Sequence, residues 1–132
     1  MIEMTKEKFD KTQRAIIIPV DVEADGIMSD FQFIVDTGSQ ETLISEKAMR
    51  QLGYTRVDSL IDVPIQTVGG SATAYRYQIE SITALGLTRR NVNVISHEMP
   101  PGSGVDGLLG FDFFEDTKLI IDFKTAEISV VM

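Results

Sequence analysis

The chain has 132 residues, of which 43% are hydrophobic, and its formal net charge is −8. This length is typical of one domain with its own core, and the acidic balance argues against nucleic acid and membrane surfaces as partners. Because the chain has no cysteine and one histidine, His97, disulfides, thiolate metal sites and a histidine zinc site are excluded. We therefore expect neither a metal nor a cofactor.

The first residues are polar and charged. Residues 1–13 lack the apolar segment of a signal peptide and predict a flexible leader before a single domain over residues 14–132. No apolar run approaches the roughly 20 residues that a membrane-spanning helix needs. These features predict a cytoplasmic location and no membrane partner.

A β-hairpin and a polar turn come next. The segment 15–22 is rich in β-branched residues, 24–26 is a turn signal, and 31–35 is an apolar strand. Asp36-Thr37-Gly38-Ser39 follows, so the strand brings one carboxylate into a tight turn. Two interpretations are open here. The carboxylate could lie at the floor of a cleft and serve acid–base chemistry, or it could form a surface Asx turn.

The rest of the chain predicts short strands and little helix. Ser45 is expected to cap a helix over 46–52 that ends at Gly53, and Gly69-Gly70 is expected at the tip of a hairpin. Together these elements predict an all-β barrel or sandwich. The other predicted elements are strands over 57–68, 72–79, 82–87, 92–95 and 108–109, a helical turn over 111–116, and a hairpin of 118–123 with 127–131.

The remaining polar residues have simpler expected roles. Asp112, Glu115 and Asp116 are expected on a solvated helix face. Asp122 is expected to cap a turn, and His97 to lie in a loop.

Three features occur in one order: the Asp36 turn, the glycine-tipped hairpin over 67–71, and Asp106-Gly107-Leu108-Leu109-Gly110. This order resembles the retropepsin-like aspartic proteases, and in particular their bacterial stand-alone members, over roughly residues 14–131. The resemblance implies a closed acid-protease barrel with one or two short helices that forms a two-fold dimer. It also implies an aspartic endopeptidase acting on peptide or protein substrates.

The chemistry of such an enzyme needs two carboxylates. One takes a proton from water while the other, which is protonated, donates to the substrate carbonyl oxygen. The chain has one such turn, so the second carboxylate is expected from Asp36 of a second copy.

The resemblance also implies supporting roles. Thr37 would brace the paired turns across the dimer axis, the Gly38 amide would bind the carboxylate, and Ser39 would orient Asp36 as a hydrogen-bond donor. The C-terminal strand over 128–131, with the N-terminal strand, would pair across the dimer. Flap and pocket residues implied in the same way are Val68, Gly69, Gly70 and Ser71 over the substrate, and Asp106, Gly107 and Leu108 around a substrate side chain.

The chain departs from the retroviral members in three places. Gln40-Glu41 stands where they usually carry two acidic residues, and Phe111 replaces a basic residue. The expected flap has only two glycines, followed by Ser71-Ala72, which predicts a less mobile tip. The sequence leaves two other functions open. One is a catalytically silent binding or assembly module with the same barrel. The other is a glycosidase that pairs Asp36 with Asp106, which the absence of tryptophan disfavours.

Overall fold

The computed structural model describes residues 3–67, 69–99 and 102–132. Its strands are β1 (Glu3–Lys8), β2 (Ile17–Ala24), β3 (Ile27–Val35), β4 (Leu43–Ile44), β5 (Ile61–Thr67), β6 (Gly70–Ala84), β7 (Leu87–Ser96), β8 (Gly107–Leu109), β9 (Lys118–Asp122) and β10 (Glu127–Val131). Its helices are α1 (Glu46–Gln51), a short 3-10 turn (Arg56–Asp58) and α2 (Phe111–Phe114).

Six strands close into a barrel. They follow the order β2, β3, β8, β4, β7, β6, and the ring closes because β6 also pairs with β2, where Val22 faces Ile82. Closure removes the exposed edges that an open sheet would present. The predicted closed barrel with two short helices is confirmed. Within the described ranges, β5 pairs with β6 alone and so lies outside the ring.

Alternation along the strands places the core inside this ring. Ile18, Val20 and Val22 of β2 are buried, while the residues between them are more exposed, because successive side chains of a strand point to opposite faces. Phe33 of β3 and Ile79 of β6 face the same interior and are fully buried. Each such side chain contributes about 2 kcal/mol to folding through the apolar area it removes from water.

The expected flexible leader is wrong for the part of it that the structure describes. Residues Glu3–Lys8 form β1, which runs antiparallel to β10 with Lys8 opposite Glu127. Phe9 is buried, and its amide donates to the Ala126 carbonyl at 2.9 Å. The segment is too polar to show a strand pattern. Its conformation depends instead on backbone hydrogen bonds to a strand more than a hundred residues away.

The C-terminal strand is the central strand of a second, three-stranded sheet. β10 pairs with β1 on one side and β9 on the other, with Val130 opposite Leu119. Pairing of this strand across a dimer is therefore not available in this arrangement, contrary to the expectation, because both of its edges are already used within the chain. The outer strands of the sheet are β1 and β9.

Several element boundaries also differ from expectation. The segments predicted as separate strands over 72–79 and 82–87 are one strand, β6, followed by a turn at Leu85 and Gly86, both with positive φ. Because one of the two turn residues is an apolar leucine, the sequence does not indicate a turn there. Helix α1 begins as predicted, since Ser45 accepts a hydrogen bond from the Ala48 amide at 3.1 Å. No helix among the described residues is long and apolar enough to cross a membrane.

Asp21 and Asp30 face each other on neighbouring strands and make stability dependent on pH. A hydrogen bond with the Asp30 side chain raises the pKa of Asp21, and burial and repulsion add to the rise. An acid with a raised pKa in the folded state stabilises the fold below its unfolded value of 3.8, and this contribution is lost as pH rises through the raised pKa. Asp30→Asn should therefore add about 0.5 kcal/mol to the free energy of unfolding at pH 7.

Urea unfolding at pH 4 and pH 7 tests this. The loss of stability between the two pH values should be smaller in Asp30→Asn than in the wild type. Asp25→Asn removes the same charge from the exposed turn of the same hairpin and should leave the loss unchanged. An equal loss in Asp30→Asn and Asp25→Asn would contradict the explanation.

Candidate active site

The turn that holds Asp36 begins where β3 ends. The Asp36 amide donates to the Leu109 carbonyl of β8 at 2.9 Å, and the Ser39 amide donates to the Asp36 carbonyl at 3.1 Å. The Gly38 amide donates to Asp36 Oδ1 at 3.1 Å, and Asp36 is half-buried. The carboxylate is thus oriented by the backbone of its own turn at the rim of the barrel.

Ser39 has a different partner from the one expected. Its hydroxyl donates to the Glu41 carbonyl at 2.8 Å, so its single proton does not serve Asp36. The role of Ser39 as an orienting donor for Asp36 is therefore wrong in this arrangement, and the residue instead fixes the chain that follows the turn. Thr37 is exposed on the turn, and its contact across a dimer axis stays a prediction.

Two glycines, one in β8 and one directly after it, let the chain pack closely against its neighbours, β3 and β4 at Gly107 and the segment that follows Asp36 at Gly110. A Cβ atom at Gly107 would lie 2.2 Å from the Leu43 carbonyl oxygen, and one at Gly110 would lie 2.6 Å from the Glu41 carbonyl carbon. Neither distance is possible for a real side chain, so close backbone approach explains both glycines of the motif. Leu108 lies between them, half-buried, in register with Ile34 of β3.

Asp106 is used by the scaffold. Its carboxylate accepts a hydrogen bond from the Gln32 amide at 2.9 Å, and its own amide donates to the Gln32 carbonyl at 2.8 Å. Gln32 precedes Asp36 by four residues, which is about 13 Å along a strand. The structure therefore does not bring Asp36 and Asp106 to the 5–9.5 Å or so that a glycosidase pair needs, and that hypothesis is wrong. The expected pocket role of Asp106 is not supported either, because its side chain binds β3.

The expected flap corresponds to the hairpin of β5 and β6, which we call the β5–β6 hairpin. Thr67 pairs with Gly70, and Gly69 lies in the turn between the strands. Ser71 is exposed, and its hydroxyl accepts a hydrogen bond from the Gln66 side chain at 3.1 Å. Val68 lies outside the described residues.

Thr42 and Asp112 form a link that was not foreseen. The Thr42 amide and hydroxyl donate to the two Asp112 oxygens at 3.1 and 2.8 Å, and the hydroxyl accepts from the Gly110 amide at 3.1 Å. Asp112 is half-buried, so its expected place on a solvated helix face is wrong. It ties α2 to the chain that follows the Asp36 turn. No local pattern signals the pair, because the two residues are 70 positions apart.

A second unforeseen link is the ion pair between Glu41 and Arg76. It joins the chain after the turn to β6, and both side chains are partly shielded from solvent. The pair forms part of the wall of a cavity of about 420 Å³, which Arg89, Asn93 and Asp112 also line.

The other titratable residues lie outside this arrangement. Asp122 accepts hydrogen bonds from the Lys124 and Thr125 amides, which lower its pKa and cap the turn between β9 and β10 as predicted. His97 Nδ1 lies 3.0 Å from the carbonyl oxygen of Glu98. In the part of the chain that the structure describes, no three acidic or histidine side chains gather as ligands for a metal ion.

Comparisons with known proteins agree with this geometry. A family model described as aspartyl protease matches residues 18–113. The crystal structure of a retropepsin-like aspartic protease from Rickettsia conorii has the same fold, with a TM-score of 0.70 and 19% identity over 99% of this chain and 97% of that one. No curated protein matched the sequence. The turn at Asp36, the two close-packed glycines at positions 107 and 110 and the family match together show that the chain belongs to the aspartyl protease family and is an aspartic-type peptidase with a retropepsin-like barrel.

Proposed function

We propose that the chain is an endopeptidase whose active unit is a homodimer, with one Asp36 contributed by each copy. The observation that carries the proposal is the single Asp36 turn, since the chemistry needs two carboxylates. The Asp106 and Asp112 carboxylates are bound to Gln32 and Thr42 and are therefore poor candidates for the second carboxylate. A two-fold axis beside the turn would set two copies of Asp36 face to face.

The two carboxylates would share one proton, because like charges about 3 Å apart do not both ionise. The ionised Asp36 takes a proton from a water molecule as the water oxygen attacks the peptide carbonyl carbon. The neutral Asp36 gives its proton to the carbonyl oxygen. The Asp36 that took the proton from water then gives it to the amine nitrogen as the C–N bond of the tetrahedral intermediate breaks, and the other Asp36 accepts a proton from a hydroxyl of the intermediate. The Gly38 amide holds one carboxylate oxygen in place throughout.

The substrate is a peptide or protein segment bound between the turn and the β5–β6 hairpin. That hairpin, with Gly69, Gly70 and Ser71 near its tip, would close over the substrate and exclude water. Gly107 and Leu108 would line the pocket for a substrate side chain. Thr37 would contact the other copy across the axis.

The dimer can be tested through the dependence of activity on concentration. Cleavage of an unstructured protein, expressed per subunit, should rise with enzyme concentration in parallel with a doubling of mass by sedimentation. The dimer would carry −16, twice the −8 of one chain, so added salt and lower pH should favour it by weakening repulsion. Constant activity per subunit from a protein that stays monomeric would contradict the proposal.

The shared proton gives the same enzyme a second signature. The rate should rise and fall as a bell with pH, with its maximum on the acid side of neutral, because only the singly protonated pair is active. A chelator should leave the rate unchanged, whereas a statine-type transition-state mimic should abolish it. A chain that binds peptides but cleaves none at any pH would be a binding module instead.

A further inference from the structure

The β5–β6 hairpin leaves the barrel at a definite point. In the described part of the hairpin, residues 71–74 of β6 pair with β5 alone. From Tyr75 onward β6 also pairs with β7, where Tyr75 faces Ser96 and Arg76 faces Ile95. Tyr75 and Arg76 are thus the first residues held from both sides. The base of the hairpin lies at these two positions.

Arg76 is fixed at this base by its backbone. Its amide donates to the Ser59 hydroxyl at 3.1 Å, and its carbonyl accepts from the Leu60 amide at 2.7 Å. Its side chain, 29% exposed, reaches Glu41, which is 38% exposed. Charges that are partly shielded from water attract each other more strongly than fully solvated ones.

The other end of this ion pair is fixed to the catalytic turn. The Glu41 carbonyl accepts the Ser39 hydroxyl at 2.8 Å. The Ser39 carbonyl in turn accepts from the Phe111 amide at 2.7 Å, and Gly110 packs against the Glu41 backbone. Glu41 therefore cannot move without disturbing Ser39. A continuous set of contacts runs from the Asp36 turn to the base of the hairpin.

We propose that the Glu41–Arg76 ion pair is a latch that holds the base of the β5–β6 hairpin in a fixed position relative to the catalytic turn. Both residues are then positioning residues for peptide binding. Without the pair, the hairpin spends more time away from the turn, and substrate must bind a less populated conformation. Only the effect on substrate binding rests on the proposed function; the effect on hairpin motion does not.

Hydrogen exchange in the free protein tests the latch without any substrate. In Glu41→Gln and in Arg76→Met, amides over 61–67 and 69–76 should exchange about two- to fivefold faster, the range expected for an ion pair of this exposure. Amides of the β2–β3 hairpin should not change. Arg76→Lys, which keeps the charge, should restore slow exchange. Arg90→Met removes an exposed arginine from β7 and is the matched control without effect.

The double variant Glu41→Gln/Arg76→Met completes the cycle. Because both substitutions remove the same contact, the double variant should exchange no faster than either single variant. Additive increases, or single variants that exchange like the wild type, would overturn the latch.

Steady-state kinetics supply the second measurement. Each single variant should raise KM about two- to fivefold while kcat and the pH profile stay unchanged, since the latch affects binding and not proton transfer. If kcat and kcat/KM fell equally, the ion pair would act only in the transition state and not in substrate binding, and this would overturn the latch. If the wild type cleaves no peptide, the proposed function fails and the exchange data alone decide the latch. If the wild type does cleave peptides but both single variants match the wild type in hydrogen exchange and in KM, the latch is wrong and the proposed protease function is retained.

Discussion

Asp36→Asn should lower the rate of peptide hydrolysis by about 10⁴-fold or more while leaving the fold intact. Asparagine can neither take a proton from water nor give one to a carbonyl oxygen, and proton transfer of this kind contributes about 10²–10⁴-fold for each group. Its amide oxygen can still accept the Gly38 hydrogen bond, which is 3.1 Å long in the wild type. Peptide cleavage should be measured alongside circular dichroism and urea unfolding. Cleavage by purified Asp36→Asn at the wild-type rate would disprove the catalytic role.

The same variant shows whether the site is shared. Mixing wild type with an excess of Asp36→Asn should suppress wild-type activity, because most wild-type chains would then be paired with a variant chain, and such dimers hold a single Asp36 carboxylate. An equal excess of Asp25→Asn, which changes only an exposed turn, should not suppress it, since mixed dimers keep both Asp36 residues. If the excess of Asp36→Asn left the cleavage rate unchanged, each active site would lie within a single chain.

Gly107→Ala should cost about 3 kcal/mol of folding stability, at the upper end of the usual penalty for an overpacked core. The new methyl group would lie 2.2 Å from the Leu43 carbonyl oxygen and 2.9 Å from two ring carbons of Phe33. Neither neighbour can yield easily. Leu43 lies in a strand held on both sides, by β7 and β8, and Phe33 is fully buried. Urea unfolding at the pH of greatest stability measures the cost.

Gly53→Ala is the matched control for this substitution. Gly53 has a φ of +94° and open space where a Cβ would be. Alanine there should lower the folding stability only through the strain of a left-handed conformation, about 1 kcal/mol. The difference between the two variants isolates the steric overlap at Gly107. A cost at Gly107 no larger than that at Gly53 would show that β8 can move away from β4, contrary to the close packing of Gly107 against Leu43 and Phe33.

The parts of the fold that could be predicted are those with a local signal. The alternation of Ile18, Val20 and Val22 identifies a half-buried strand, and the order of the Asp36 turn and the glycine motif at 106–110 identifies the barrel. β1 could not be predicted in this way, because its residues are mostly polar and its pairing with β10 uses the backbone.

The candidate site shows the same limit. The Gly38 contact with Asp36 follows from the turn itself, whose residues are two positions apart. The Glu41–Arg76 pair joins residues 35 positions apart, and nothing in either segment indicates the other. The resemblance implies that Ser39 donates to Asp36, but its hydroxyl donates to the Glu41 carbonyl within the same loop. Contacts that depend on how distant strands meet require the folded structure.

The position of β10 between β1 and β9 has a consequence for the kinetics of assembly. Two copies that pair β10 against β10 must each first free one edge of that strand, and release of β1 breaks the ladder of backbone hydrogen bonds that runs from Glu3 to Lys8. At high protein concentration the rate of association would then stop rising, because release of β1 within one chain does not depend on encounter. Copies that meet through the outer edges of β1 or β9 have no such step, and their association would stay second order throughout.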